Sequence, residues 1–463
     1  MTEIDTMRAV SDRSYDERTR RLAGELRAAR SPRLAKRTSN LFRPRAPARS
    51  GLDVRDFAGV LSVDPERRTA DVQGMTTYEA LSDATLRHGL MPLVVPELKT
   101  ITIGGAVAGL GIESSSFRNG MPHESVLEMD VLTGTGEVVP ATPDNEHAAL
   151  FRGIPNSYGT LGYVLRLTIE LESVAPYVRL RHVRHRNADA YFAEVTEVCG
   201  SRRWQSESVD FVDGAVFGPD ELYLTLGTFE RRPVGTSDYT RSRVYYRSIR
   251  NRAEDALTVR DYLWRWDTDW FWCSRVFGVQ HPAVRALVPK RYLRSDTYWR
   301  LIDLDRRLGL SRRLDSLRGR RSEAVIQDVQ IPVDRAAEFL AFFRERIGIW
   351  PVWVCPVRQR DRAARWPLYE LDPEVTYVNF GFWSSVRLGP GEGDGSRNRL
   401  IEEKVEDLGG RKSLYSTSFY REDEFWRLYN GEAYRALKHA YDPEGRFLDL
   451  YEKCVRSDKT VRR

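Results

Sequence analysis

Short apolar runs separated by turn residues fill the chain between residues 59 and 176. They predict strands at 60–63, 69–72, 126–132, 138–141 and 161–171. A helix is expected from Thr76 to about His88, where Gly89 ends it. The sequence Thr133-Gly134-Thr135-Gly136 predicts a hairpin between two of the strands. Short strands with an occasional helix are typical of an α+β domain and not of a regularly alternating β-α-β array.

A second region starts near Pro176 and has longer runs. Strands are expected at 222–229 and 325–331, and helices at 335–346 and 424–441, with a glycine-rich loop at 389–395. Between them lies an aromatic cluster, Tyr262-Leu263-Trp264-Arg265-Trp266 with Trp270-Phe271-Trp272. We expect either the core of this second region or an apolar wall for a lipid chain.

Charge is distributed unevenly along the 463 residues. The formal charge is 72 − 66 = +6, and residues 1–50 alone hold thirteen basic and six acidic side chains, a net of +7. The remaining chain therefore sums to −1 and is not a general polyanion binder, so no nucleic acid partner is expected. The basic arm has helical spacing over 11–30, up to Pro32. Residues 26–49 carry eight basic residues and no acidic one, and they form either a solvated, partly mobile arm or a contact to a phosphate-bearing cofactor or lipid.

Several classes of chemistry are excluded by what the sequence lacks. The four cysteines form no CxxC pair and the seven histidines no HExxH, so no metal site is expected. No apolar stretch approaches about 18 residues, and the N-terminus has no apolar signal core. We expect a cytoplasmic protein whose chemistry comes from an organic cofactor or from ordinary side chains.

The most informative stretch is the glycine block Gly104–Gly111, followed by three serines at 114–116. Glycines let backbone N–H groups approach a phosphate closely, and serine hydroxyls add donors for a pyrophosphate. The block misses the dinucleotide GxGxxG at its last position, and no amphipathic helix follows. On pattern alone, a tight packing site explains the glycines equally well.

A family resemblance favours the cofactor. The segments Pro96-Glu97-Leu98, Thr102-Ile103-Gly104-Gly105 and Gly109-Leu110-Gly111-Ile112-Glu113-Ser114-Ser115-Ser116 resemble the flavin motif of the vanillyl-alcohol oxidase/para-cresol methylhydroxylase (PCMH) superfamily. Within it, the likeness is to Δ24-sterol reductase-like flavoproteins and to bacterial reductases of 10-methylene fatty acyl chains. Tyr158–Gly162, Trp350–Pro356, Leu414-Tyr415 and Glu424–Trp426 are also similar to family segments.

The resemblance implies an α+β architecture in which a PCMH-type FAD-binding domain of two α+β subdomains is covered by an α+β cap. The expected divisions are a basic arm at 1–50, the FAD domain at 51–176, the cap at 177–440 and a C-terminal return at 441–463. Because Phe117 follows the serines where covalent members often carry histidine, noncovalent FAD is expected. The implied FAD contacts are Arg37, Ser39, Asn40, Thr102, Ile103, Gly104, Gly105, Gly109, Gly111, Ile112, Glu113, Ser114, Ser115, Gly120, Gly159, Thr160 and Gly162.

The implied reaction is reduction of a lipid carbon–carbon double bond with hydride from NADPH through flavin N5, together with a proton from a positioned acid. Candidate acids are Tyr415, Lys412 and Glu113. Tyr415 is either the acid or a core tyrosine. A surface position is the simpler interpretation of Lys412, and Glu113 is better suited to ordering the glycine loop.

Two substrate classes remain open, a phospholipid-bound 10-methylene acyl chain and a sterol side chain, and the first implies a methyltransferase partner. A contact of the basic arm with anionic headgroups would place the enzyme at the inner face of the membrane. The alternatives are an FAD-dependent oxidase or dehydrogenase of an alcohol, polyol or prenyl-phosphoryl sugar, and a non-catalytic binding protein that uses the arm to bind nucleic acid or a membrane.

Overall fold

The structure is a computed structural model, and it describes residues 3–29, 32–36, 40–43, 51–232, 235–240, 243–308 and 321–456. Two antiparallel sheets form its framework, one built from strands within residues 60–173 and the other from strands within residues 177–412. Arg37 and Ser39, two of the expected FAD contacts, lie outside the described residues.

The first sheet has six strands and corresponds to the expected FAD domain. Its long central strand, Tyr163–Ser173, buries every second side chain from Tyr163 to Leu171, as a strand with one face on a core requires. The predicted hairpin at 133–136 is confirmed by the pairing of Leu132 with Val138. In spatial order the strands are Val60–Asp64, Thr69–Gln73, Tyr163–Ser173, Val126–Leu132 and Val138–Ala141, with Leu90–Pro92 also paired to Tyr163–Ser173.

The second sheet has eight strands and lies in the region expected to be the cap. It includes the predicted strands 222–229 and 325–331, each slightly longer than expected. In spatial order its strands are Glu254–Thr258, Tyr177–His185, Glu221–Glu230, Phe211–Gly218, Val352–Val357, Tyr377–Arg387, Ser322–Pro332 and Arg411–Lys412. The α+β prediction is therefore confirmed. Two further strand pairs are small, Arg33–Leu34 with Gly51–Leu52 and Arg203–Trp204 with Glu207–Ser208.

Helices cover the sheets and connect their strands. The predicted helix after Thr76 runs over Tyr78–Leu86, and the Thr77 hydroxyl caps it by accepting from the Ala80 amide at 3.3 Å. The other α-helices are Glu3–Ala28, Ile103–Gly109, Ser116–Asn119, Ala148–Gly153, Ala188–Ser201, Tyr245–Ser248, Val259–Leu263, Pro282–Leu287, Ser295–Leu308, Ala336–Arg346, Ser396–Asp407, Glu422–Leu428 and Gly431–Tyr441. Short 3₁₀ turns lie at Pro122–Ser125, Asp267–Asp269, Cys273–Phe277, Lys290–Tyr292 and Val333–Arg335, and a π turn at Glu452–Arg456.

The helical part of the N-terminal arm packs on the FAD domain. Leu22 and Leu26 of the first helix are fully buried in a cluster with Leu52 and Phe57 of the FAD domain. This burial fixes the first helix on the FAD domain, whereas much of the basic stretch 26–49 lies outside the described residues. None of the helices within the described residues has the length and apolar character that a membrane span needs.

The C-terminal return to the FAD domain begins before residue 441. The Lys438 ammonium donates to the Thr160 carbonyl at 2.9 Å, and the Gly134 amide donates to the Tyr441 carbonyl at 2.8 Å. Helix Gly431–Tyr441 is thus packed on the FAD domain. One hydrophobic core cluster joins residues of both sheets, among them Leu167 and Trp353, and a cavity lies between the sheets.

Candidate active site

A cavity of about 330 Å³ lies between the FAD domain and the cap. Its walls come from the glycine block, the arm, the aromatic cluster, three cap strands and the C-terminal segment. The lining residues that carry the argument below are Lys36, Asn40, Arg43, Glu97, Gly104, Gly105, Gly111, Trp270, Phe271, Asp328, Trp353, Asn379, Trp383, Tyr415 and Lys453.

The glycine block supplies one wall of the cavity, and most of it belongs to helix Ile103–Gly109. The sequence allowed two interpretations of this block, a phosphate cradle and a tight packing site. A Cβ on Gly104 would lie 2.8 Å from the Gly74 carbonyl oxygen, and one on Gly111 would lie 3.1 Å from ring carbons of both Pro96 and Pro122. Both glycines also line the cavity. Gly104 and Gly111 therefore have both roles: they allow tight packing of the chain, and they leave the cavity wall free of side chains at these positions.

Three basic side chains, Lys36, Arg43 and Lys453, line the cavity near the glycine block and define its basic end. Lys36 donates to the Thr102 hydroxyl at 3.1 Å, and Lys453 donates to the Tyr158 carbonyl at 2.7 Å. Arg43 donates to the Leu414 and Lys453 carbonyls at 3.2 and 2.7 Å. Burial, together with the nearby Arg43 charge, lowers the pKa of Lys453 to about 7.

This basic end fits the pyrophosphate of FAD. The second terminal nitrogen of Arg43, Nη2, is buried and makes no hydrogen bond within the described chain. A buried guanidinium N–H without an acceptor is costly, and an acceptor-only pyrophosphate would satisfy it. Lys36, Arg43 and Lys453 are therefore the residues that would hold the phosphates.

Nine of the implied FAD contacts line the cavity, and the other six that the structure describes do not. The nine are Asn40, Thr102, Gly104, Gly105, Gly109, Gly111, Ile112, Gly159 and Gly162. Outside the lining, Ile103 is in the hydrophobic core, and the Thr160 hydroxyl donates to the Ser157 carbonyl at 2.8 Å. The Glu124 carboxylate packs directly against Gly120, so a Cβ at that position would clash with it.

The serine hydroxyls are not directed at the cavity, and the expectation that they donate to a pyrophosphate is corrected. Ser115 Oγ donates to the Leu93 carbonyl at 2.8 Å, and Ser114 Oγ lies 2.6 Å from the Tyr262 hydroxyl. Both serines are buried, and their hydrogen bonds connect the segment after the glycine block to Tyr262 and Leu93.

A polar cluster that the sequence did not single out lies at the cap side of the cavity. Asp328 pairs with Gly381, and Gln330 with Asn379, on adjacent antiparallel strands, so these side chains share one face of the sheet. The Asn379 amide donates to Asp328 Oδ1 at 2.8 Å. The side-chain amide of Gln330 donates through Nε2 to the side-chain oxygen Oδ1 of Asn379. Burial raises the pKa of Asp328 to about 6.

Tyr415, the predicted acid, belongs to this cluster. Its hydroxyl accepts a hydrogen bond from Trp383 Nε1 at 3.0 Å, and the Asp328 carboxylate lies close enough to affect its pKa. Burial and the Asp328 charge raise the pKa of Tyr415 well above its ordinary value, so the phenol is protonated at neutral pH. The one signal in the sequence for Asp328 is an acidic residue within the apolar strand 325–331.

Lys412 and Glu113, the other two candidate acids, do not line the cavity. Lys412 is completely buried and its ammonium lies 2.6 Å from the Glu402 carboxylate, which is also completely buried, so the surface interpretation is wrong. Glu113 accepts from Ser114 and lies 3.4 Å from the Arg265 guanidinium. Arg265 in turn contacts Asp213 at 2.8 Å.

Glu97 connects that buried network to the cavity. It lines the cavity, and burial, reinforced by the neighbouring Glu113 carboxylate, raises its pKa well above the ordinary value. A protonated Glu97 can donate a hydrogen bond into the cavity, a property that its sequence position gave no reason to expect.

The aromatic cluster divides between the two expected roles. Trp264, Trp266 and Trp272 are buried in the core. Trp270 and Phe271 line the cavity with Trp353 and Trp383, and the Phe271 ring stacks on Trp383 at 4.3 Å between centroids. Trp270 and Phe271 hold positive φ angles of 46° and 58°, a costly conformation for aromatic residues. The chain turns sharply there and presents the two rings to the cavity.

Comparisons with known proteins agree with this geometry. Residues 38–142 match the family described as FAD binding domain. The Δ24-sterol reductase of Arabidopsis thaliana is 26% identical over 454 residues, which cover 88% of this chain and 77% of that protein. The Δ24-sterol reductase of Homo sapiens is 24% identical over 411 residues, covering 86% and 76%. Cytokinin dehydrogenase 5 of A. thaliana is 32% identical over 182 residues, 38% of this chain and 33% of that protein.

These findings define the class of protein: the chain is an FAD-dependent oxidoreductase with a PCMH-type FAD-binding domain. Over most of its length it is a homologue of Δ24-sterol reductases at about one quarter identity.

Proposed function

We propose that the protein reduces a carbon–carbon double bond of a lipid with hydride from NADPH. The preferred substrate is a phospholipid-bound 10-methylene acyl chain, which becomes 10-methyl, and the second candidate is a sterol side chain. The observation that carries the proposal is a cavity with a basic end for FAD, an aromatic wall and the Asp328–Tyr415 pair.

Noncovalently bound FAD, held at its phosphates by Lys36, Arg43 and Lys453, would supply transfer of hydride from NADPH through its N5 to one carbon of the double bond. The residues of the chain supply binding, orientation and the proton. Trp270, Phe271 and Trp383 present apolar surface that holds an acyl chain and keeps water from the reacting carbons.

The proton path runs through Asp328 and Tyr415. An ionised Asp328 raises the pKa of Tyr415 and so opposes loss of the phenolic proton. Tyr415 can therefore give its proton to the second alkene carbon more easily when Asp328 is protonated and replaces that proton. The active form of the pair carries both protons.

The experiment uses purified protein whose visible spectrum confirms bound flavin. It is reduced anaerobically with NADPH in a stopped-flow instrument and then mixed with a methylene phospholipid, with a Δ24-unsaturated sterol, or with neither. Reoxidation by one lipid, with formation of its saturated product, is the expected result.

Two results would overturn the proposal. One is no reoxidation by either lipid, and the other is flavin reduction by an alcohol, polyol or prenyl-phosphoryl sugar but not by NADPH. The second result would assign the chain to the oxidase or dehydrogenase alternative.

The preferred substrate also implies how it is made. A methylene branch on an acyl chain arises when a one-carbon unit is added to an unsaturated chain, so a methyltransferase is the proposed functional partner. The proposed location is the cytoplasmic side of the membrane that contains these lipids.

A further inference from the structure

Large hydrophobic side chains exposed on this protein are concentrated in one segment of the cap. Seven are exposed within the described residues, and six of them lie between residues 276 and 304. Val276 and Leu287 are 81% and 84% exposed. We call these six residues the apolar cap surface: Val276, Val284, Leu287, Tyr292, Leu301 and Leu304. Single exposed apolar residues are ordinary, but such a concentration marks an interaction site.

The charges exposed in the same segment all have one sign. The exposed charged side chains of residues 275–304 are Arg275, Lys290, Arg291 and Arg300, and both acidic residues, Asp296 and Asp303, are partly buried. Arg300 lies 3.0 Å from Asp296 and Lys290 lies 3.4 Å from Asp238, so headgroups would compete with these two carboxylates. The Arg291 guanidinium lies 4.9 Å from the centre of the Tyr292 ring. Apolar side chains, one interfacial tyrosine and surrounding cations together match the chemistry of an anionic lipid surface.

The segment is also connected to the active-site cavity. Helix Ser295–Leu308 exposes Leu301 and Leu304, while Trp299 on the same helix packs against Trp270 at 5.8 Å and Phe42 at 5.2 Å. Trp270 and Phe42 line the cavity. A lipid that contacts the outer face of this helix is therefore one helix away from the cavity wall.

We propose that the apolar cap surface and its four cations dock the protein on an anionic phospholipid membrane. The proposal rests on the lipid-reducing function and names the surface through which substrate is reached. A second copy of this chain fits less well, because a symmetric contact would bring the four exposed cations together with their own copies. On an anionic membrane, the leucines insert among the lipids and the headgroups neutralise the cations. A lipid surface therefore accounts for both the exposed apolar side chains and the exposed positive charges.

The test measures sedimentation of the full-length flavoprotein with vesicles of phosphatidylcholine alone or mixed with phosphatidylglycerol. Leu287→Ser/Leu301→Ser/Leu304→Ser should lower the partition coefficient on anionic vesicles about tenfold or more. Lys290→Gln/Arg291→Gln/Arg300→Gln should also lower it about tenfold or more and remove most of the salt dependence. Matched controls are Leu127→Ser and Arg67→Gln/Arg344→Gln/Arg362→Gln, which change exposed residues elsewhere and should bind like the wild type.

Flavin content and melting temperature show whether each variant is folded, and Leu287→Ser alone replaces the triple variant if the latter fails. Wild-type binding by both triple variants would overturn the proposal. So would a wild-type dimer in light scattering that the leucine variant dissociates, since the surface would then join two copies. Reduction of detergent-dispersed substrate is measured in parallel. Vesicle binding without reduction defeats only the proposed function, and reduction without vesicle binding defeats only the docking surface.

Discussion

The hydroxyl of Tyr415 accepts a hydrogen bond from Trp383 Nε1 at 3.0 Å. The indole N–H occupies one lone pair of the Tyr415 oxygen. The phenolic O–H can therefore rotate to point toward Asp328 or toward a substrate carbon. Trp383 also lines the cavity and stacks on Phe271. The residue that orients the proton donor is therefore part of the wall that holds the lipid.

Replacing Tyr415 with phenylalanine should slow lipid reduction by about 10²- to 10⁴-fold, the usual contribution of a general acid. Flavin reduction by NADPH should stay near the wild-type rate, because the hydroxyl is not needed for that half-reaction. Stopped-flow measurement of the two half-reactions checks this. Tyr78→Phe is the control, since Tyr78 is buried and is not part of the cavity lining. Equal slowing of both half-reactions would show that Tyr415 acts on the cofactor instead.

The rate of lipid reduction should depend on pH through Asp328. Its pKa is raised to about 6, and the proposed active form is protonated. The rate should therefore be highest below pH 6 and fall about tenfold per pH unit above it. Asp328→Asn should remove this dependence, because an amide does not titrate, and should also lower the maximal rate. A rate that instead rises through pH 6 would mean that the carboxylate acts as a base.

Local sequence patterns were sufficient for most of the framework. The hairpin at 133–136 and the strands of the FAD domain depend on turn residues and alternation, which are encoded within a few positions. The direction of the Ser114 and Ser115 hydroxyls was mispredicted, because their partners, Tyr262 and the Leu93 carbonyl, come from other parts of the chain. Asp328 and Asn379 are joined by strand register, which a single sequence does not specify.

FAD affinity should fall as pH rises above 7. Burial near Arg43 lowers the pKa of Lys453 to about 7 without a bound anion, and a pyrophosphate beside it would raise that value. Binding thus takes up a proton above pH 7, and the dissociation constant should increase by up to about tenfold per pH unit. Fluorescence titration of apoprotein with FAD measures this. Lys453→Met should bind FAD more weakly and lose the pH dependence, and a variant that keeps the wild-type slope would assign it to another group.

The buried pair Lys412–Glu402 should contribute to stability and not to the reaction. Both side chains are inaccessible to solvent and 2.6 Å apart, and Glu402 also accepts the Phe419 amide at 3.0 Å. Lys412→Met leaves a carboxylate buried without its cation, so the free energy of unfolding should fall by about 3–5 kcal/mol in urea denaturation. Lys412→Met/Glu402→Leu should recover most of that loss, because neither charge remains.

The control for this pair is Lys404→Met, whose cation lies near the surface between Glu338 and Asp407. Its loss should cost no more than about 1 kcal/mol. At a temperature where Lys412→Met is folded and holds FAD, both half-reactions should run within about twofold of the wild-type rates, because the ammonium is bound to Glu402 and to the Thr417 carbonyl and does not line the cavity. A folded Lys412→Met that accepts hydride from NADPH but no longer reduces lipid would return Lys412 to the proton path in place of Tyr415.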